Sequence, residues 1–128
     1  MEVLRNFGPE DNFLQKVRDL ATRKNIVLIF DECSSGFRET YGGIFKKFNV
    51  EPDMVMFGKT IGNGYALTAV VGRRNVMEAA QKTFISSTFW TERIGPTAAL
   101  TTLKVMKELR SWEIITKLGS QMSDGWKG

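Results

Sequence analysis

The sequence contains no histidine. That excludes a Ser-His-Asp triad, a Cys-His pair and histidine metal ligands from this chain, and no metal site is expected. A single cysteine, Cys33, excludes an internal disulfide. It fits a reducing compartment, so a cytoplasmic setting is expected. No stretch is apolar enough to span a membrane, and the N-terminus carries no signal-peptide pattern. Runs of like charge are missing too. The formal charge of +4 comes from Lys and Arg scattered among Asp and Glu. The short pairs Lys46-Lys47 and Arg73-Arg74 do not make a nucleic-acid face, and the pattern reads as a solvated surface. No internal repeat or low-complexity segment occurs.

What is present is enough apolar material for a core. Hydrophobic residues make up 42% of the 128, and a chain of this length buries roughly two-thirds of its unfolded surface. The length suits one domain. Phe13, Leu14, Val17, Leu20 and Ala21 recur at helical spacing, with Asp11 or Asn12 as the expected cap. "NIVLIFDE" holds five apolar residues in a row. Such a run suits a strand covered on both faces, as in a parallel sheet, and it ends in two acids. "SSGFRETYGG" reads as a loop, and "IFKKFN" as one or two helical turns. "DMVMFG" is a second strand and "ALTAVVG" a third. The link between them, "KTIGNGY", is too short for a parallel crossover. The third strand is therefore antiparallel to the second or not its neighbour. "NVMEAAQKTF" reads as a short helix with Asn75 as cap. A longer helix starts at Pro96 and carries Ala99, Leu100, Leu103, Met106 and Leu109 on one face, with Gly119 as a plausible stop. The order of elements is an α/β pattern. Three strands leave one sheet edge without a covering strand, which points to a part of something larger.

"MFGKTIGNGY" invites a nucleotide reading, because Gly-Lys-Thr ends a P-loop. That pattern requires glycine at position 53, and the sequence has Asp53. Residues 54–57, Met-Val-Met-Phe, are strand material rather than a phosphate loop. The glycines that follow do not form G-x-G-x-x-G, so a dinucleotide site has no support either.

Two other residues stand at the ends of buried strands, Asp31 on the first and Lys59 on the second. Ligands of open α/β sheets bind beyond the carboxyl ends of the strands. One acid and one lysine there suit pyridoxal phosphate: the amine forms an imine with the aldehyde, and the acid keeps the pyridine nitrogen protonated. The residues alone leave plainer readings open. Asp31 can be a cap or a surface charge, and Lys59 a solvated turn lysine.

The segments "LIFDECSSGFRETYGG", "EPDMVMFGKTIGNGYALTAVVGRRNVM" and "SSTFWTERIGPTAALTTLKVM" resemble class III aminotransferases of the pyridoxal phosphate fold-type I superfamily. "GFRETYGG" is most similar to the glutamate-1-semialdehyde 2,1-aminomutase branch. The match runs over essentially the whole chain. It implies three strands of a mostly parallel sheet with flanking helices, the third strand antiparallel, from the large cofactor-binding domain. It implies Lys59 as the catalytic Schiff-base lysine and Asp31 as the partner of the pyridinium nitrogen. Thr88 matches the threonine that binds the cofactor phosphate of the neighbouring subunit in a homodimer. Cys33 stands where a valine packs on the ring face, and Ser34 where many members have a glutamine near the ring hydroxyl. "WTER" replaces the frequent x-Gly-Asn-Pro after the threonine. Tyr65 and Trp90 stand open between packing and lining a substrate pocket.

Members of the family are several times longer. Residues 1–128 are expected to be part of the large domain, ending near the start of the small C-terminal domain, with Met1 as an internal methionine. An aminotransferase or aminomutase acting on a small-molecule amino donor and acceptor is the implied activity of the intact enzyme, and the 128 residues alone are not expected to turn over substrate. The other expectation is a catalytically incompetent fragment, or a non-catalytic interaction module that does not bind pyridoxal phosphate on its own.

Overall fold

The computed structural model describes residues 7–127, so the expectation about Met1 and the "MEVLRN" segment lies outside the described residues. Three strands form one mixed sheet in the order β1-β2-β3. β1 (Ile29–Asp31) and β2 (Met54–Phe57) are parallel, and β3 (Ala69–Gly72) runs antiparallel to β2. The short link therefore does what its length allows, returning the chain beside the strand it left.

Side chains alternate across a strand, and the register decides which share a face. Phe30 is paired with Val55, and Val55 with Val71. Phe30, Val55 and Phe57 are buried. Val55 and Phe57 join Phe37, Ile61, Ala99 and Met106 in one cluster, with Tyr41, Phe45, Leu67, Ala69 and Leu103 packed against it. The Phe37 ring lies 5.0 Å from Phe57 and 5.9 Å from Tyr41. This core joins the sheet to α3 (Ile94–Leu109) and to the loop after β1.

α1 (Phe13–Arg23) turns Leu14, Val17 and Ala21 inward. Asn12 is the N-cap residue, one of the two expected, but it does not cap with its side chain. Asp11 and Asn12 both have positive φ, 49° and 55°, and the Asn12 side chain makes no cap hydrogen bond. α1 is tied down instead by Asp53. Its carboxylate accepts from the Leu28 N–H at 2.8 Å and from Arg18 Nη1 of α1 at 2.8 Å, and pairs with Arg73 Nη1 at 3.3 Å. Asp53 thus joins α1, the start of the sheet and the end of β3. Burial pushes this carboxyl up, but the Leu28 N–H and the two guanidinium groups outweigh that and hold it below its ordinary value of 3.8.

A lowered folded-state value means that the unfolded chain binds the proton first as pH falls. The Asp53 contribution is complete above the ordinary carboxylate range and is lost as pH drops through the folded value. Asp53→Asn is expected to cost about 2 kcal/mol at neutral pH. The gap in urea midpoint between the two proteins should close as pH falls below about 4. A gap that stays constant with pH would remove the charge from this explanation.

Other expectations are corrected. The run "NIVLIF" contributes only its last two residues to β1, and Ile26, Val27 and Ile29 are exposed. Val70 and Val71 of β3 are exposed as well. β1 is thus not covered on both faces among the described residues, whereas β2 has no exposed residue. Asn75 lies inside α2 (Arg74–Met77), whose N-cap is Arg73, and a 3-10 turn over Glu78–Lys82 continues it. α3 begins at Ile94, two residues before Pro96, because Glu92 accepts the N–H groups of Ile94 and Gly95. Pro96 still falls in the first turn, where a missing N–H costs nothing. Gly95 lets α3 approach the chain after Lys59, since a Cβ there would stand 2.9 Å from the Ala66 carbonyl oxygen. Ala99, Leu103 and Met106 face inward as expected, whereas Leu100 and Leu109 are exposed. α3 ends at Arg110, in the left-handed conformation at φ 49°. α4 (Ser111–Lys127) then runs through Gly119 without stopping. Its Trp112 packs on Tyr41 at 5.4 Å, while Ile115, Leu118, Met122 and Trp126 stay exposed.

Candidate functional site

Parallel pairing puts the carboxyl ends of β1 and β2 side by side. Asp31 is in register with Met56, and the Glu32 N–H extends the ladder to the Met56 carbonyl at 2.8 Å. Residues 54–57 are strand, as their composition requires, so the chain reaches Lys59 at a strand end and not in a phosphate loop. The two turns that leave the strands then touch. A Cβ on Gly58 would stand 3.3 Å from Cys33 Sγ. One residue further along each turn, Lys59 Nζ donates to Ser34 Oγ. The structure thereby brings Asp31, Cys33, Ser34 and Lys59 to one end of the sheet.

Asp31 shares the register position of Met56, on the face opposite Phe30 and Val55. It is half-buried, and its Oδ1 accepts the Cys33 N–H at 3.0 Å. That bond fixes the first step of the loop after β1. Lys59 is exposed and has φ 43°, the left-handed region that an L-residue enters at a cost of about 1–2 kcal/mol. Non-glycine residues held there cluster at functional sites. The bonds around it hold it in place: its carbonyl accepts from Gly62 N at 3.1 Å and Asn63 N at 3.0 Å, in a 3-10 turn over Lys59–Ile61.

Thr88 is on neither strand end. It lies in the exposed loop between the 3-10 turn Glu78–Lys82 and α3, near Phe84, Phe89 and Trp90, whose side chains are exposed. Tyr65 is exposed too. It lines an open cleft of about 540 Å³ with Arg93, Thr97 and Thr101. Gly62 and Asn63, from the turn after Lys59, also border this cleft, whereas Asp31 and Lys59 do not line it.

Sequence reasoning passed over Glu32. It is the one fully buried large side chain among the described residues, at 0% exposure. Its two oxygens accept the N–H groups of Ile44 at 2.6 Å and Phe45 at 3.1 Å, and the Ser35 hydroxyl at 3.4 Å. The signal was the second acid of Asp-Glu, which an alternating strand points opposite to the first.

The family model for class-III aminotransferases matches residues 6–127. The chain belongs to this family. Class-III aminotransferases depend on pyridoxal phosphate. The chain is 41% identical over 112 residues to the 3-aminobutyryl-CoA aminotransferase of Cloacimonas acidaminovorans, covering 87% of this chain and 27% of that protein. It is 37% identical over 129 residues to the glutamate-1-semialdehyde 2,1-aminomutase of Rhodopirellula baltica, covering 96% of this chain and 29% of that protein. The chain therefore spans less than a third of the length of these relatives. Among solved structures, the FumI protein of Sphingopyxis sp. MTA144, in its PLP internal aldimine form, superposes with a TM-score of 0.72 at 28% identity. That match covers 75% of this chain and 23% of that one. The α/β architecture is that of the fold-type I enzymes.

The donor set suits the family cofactor. A carboxylate and a primary amine stand at adjacent strand ends, with a hydroxyl on the amine and a small sulfur side chain beside them. Among the described residues there is no cluster of His, Cys, Asp or Glu able to hold a metal, and no helix long and apolar enough to cross a membrane.

Proposed function

We propose that this chain carries the cofactor lysine and its carboxylate partner for a pyridoxal phosphate-dependent aminotransferase or aminomutase. The chain would form part of the large domain, acting on a small-molecule amino donor and acceptor. The observation that carries this reading is the pairing of β1 with β2, which puts Asp31 and Lys59 at neighbouring strand ends. Bound pyridoxal phosphate supplies an electron sink for a substrate carbanion. Lys59 would hold the cofactor aldehyde covalently and, once released, move a proton at its Nζ. Asp31 would keep the pyridine nitrogen protonated, a charge-assisted contact. Cys33, against Gly58, would form a small apolar wall, and Ser34 would orient the Lys59 amine. Thr88, exposed on its loop, would offer its hydroxyl and N–H to the cofactor phosphate held by a second copy of the protein.

A second reading has its own support. The chain spans less than a third of its relatives, and exposed apolar residues line β1, β3 and α4. In this reading the 128 residues hold no cofactor by themselves. Mixing the chain with pyridoxal phosphate separates the two. A visible absorbance band that saturates at one cofactor per chain is expected from the first, and its absence supports the second.

A further inference from the structure

Ser34 and Ser35 are neighbours with opposite tasks. The Ser34 hydroxyl accepts from Lys59 Nζ. The Ser35 hydroxyl is turned inward, 3% exposed, and donates to Glu32 Oε2 at 3.4 Å. Ser35 has an anchor on its inward side.

That anchor is Glu32. It sits at the root of the loop, and its oxygens also take the N–H groups of Ile44 and Phe45, where the loop ends in a 3-10 turn over Ile44–Phe48. One side chain therefore closes residues 33–43 into a fixed loop. Gly43 leaves the room for it, since a Cβ there would press into the Phe45 ring and stand 3.0 Å from Glu32 Oε1. The Gly36 N–H, bonded to the Glu32 carbonyl at 2.8 Å, fixes the turn on the far side of Ser34 and Ser35.

We propose that Glu32 is a positioning residue for the Lys59 amine, acting through the Ser34-Ser35 step: it keeps Ser35 inward and so presents Ser34 to Lys59. The proposal rests on the reading of Lys59 as the working amine. It is tested without cofactor, so its failure is distinct from a failure to bind pyridoxal phosphate.

The full chain is labelled with formaldehyde and cyanoborohydride, and methylation of Lys59 is read by peptide mass spectrometry against the exposed Lys117 of α4. A hydrogen-bonded amine is less available, so Ser34→Ala is expected to raise the Lys59/Lys117 ratio about threefold. Ser34→Thr, which keeps the hydroxyl, is expected to restore it. Glu32→Gln presents an amide N–H to the backbone donors and is expected to raise the ratio by a similar factor. Ser35→Ala should raise it less. In the Ser34→Ala background neither change should add anything, because effects carried through one contact are not additive. An unchanged ratio in Glu32→Gln, or an equal rise with and without Ser34, overturns the proposal. If Glu32→Gln unfolds the chain, seen as uniform labelling of all lysines, Ser35→Ala decides by the same two criteria.

Discussion

Lys59→Ala is expected to abolish covalent attachment of pyridoxal phosphate and, in the intact enzyme of which this chain would form part, to lower amino-group transfer by at least about 10⁴-fold. The amine would serve twice, as the covalent handle and as the group that moves the substrate proton, and no neighbouring side chain can replace both roles. The fold should survive. Lys59 is exposed, its backbone carbonyl still accepts from Gly62 and Asn63 in the variant, and alanine meets the same left-handed φ. Circular dichroism and a urea midpoint close to that of the unsubstituted chain would confirm that the loss is chemical. Residual transfer within about tenfold of the original would place the covalent residue elsewhere.

Asp31→Asn is expected to leave cofactor attachment possible and to cut proton transfer by about a hundredfold or more. Asparagine keeps an Oδ1 that can accept the Cys33 N–H, now 3.0 Å from Asp31 Oδ1, so the turn after β1 is preserved. What is lost is the negative charge, and a neutral amide cannot hold a protonated pyridine nitrogen. The split between attachment and turnover is the readout. A variant that attaches cofactor and turns over at the original rate would show that Asp31 only fixes the turn. One that fails to attach and also melts early would make Asp31 a structural residue.

The two residues with the strongest chemistry were legible because strand ends are legible. "VLIFDE" and "DMVMFGK" each show where an apolar run stops, and a parallel pairing brings those stops together. Glu32 was hidden because two acids in a row look alike in a sequence. Alternation puts the two on opposite sides, and only the burial of Glu32 shows which one turns into the protein. The Asp53 staple was equally hidden, since its partners Arg18 and Arg73 come from segments far apart in the chain.

The helix ends failed for a different reason. A glycine inside a helix costs about 1 kcal/mol, which a 17-residue helix with an apolar stripe tolerates, so α4 passes Gly119. The break falls instead at Arg110, whose left-handed conformation has no signature in its residue type. Expecting the first strand to be covered on both faces was reasonable for its composition. The apolar residues are there, at Ile26, Val27 and Ile29, but among the described residues they stay about half exposed.

The most direct measurement mixes the chain with pyridoxal phosphate, reduces it with borohydride, and locates the fixed cofactor by peptide mass spectrometry. Pairing of β1 with β2, which sets Lys59 beside Asp31 at one end of the sheet, predicts one modified residue, Lys59, at a stoichiometry near one per chain. Cofactor spread over several surface lysines in proportion to their exposure, with Lys59 no more modified than Lys117, would contradict it.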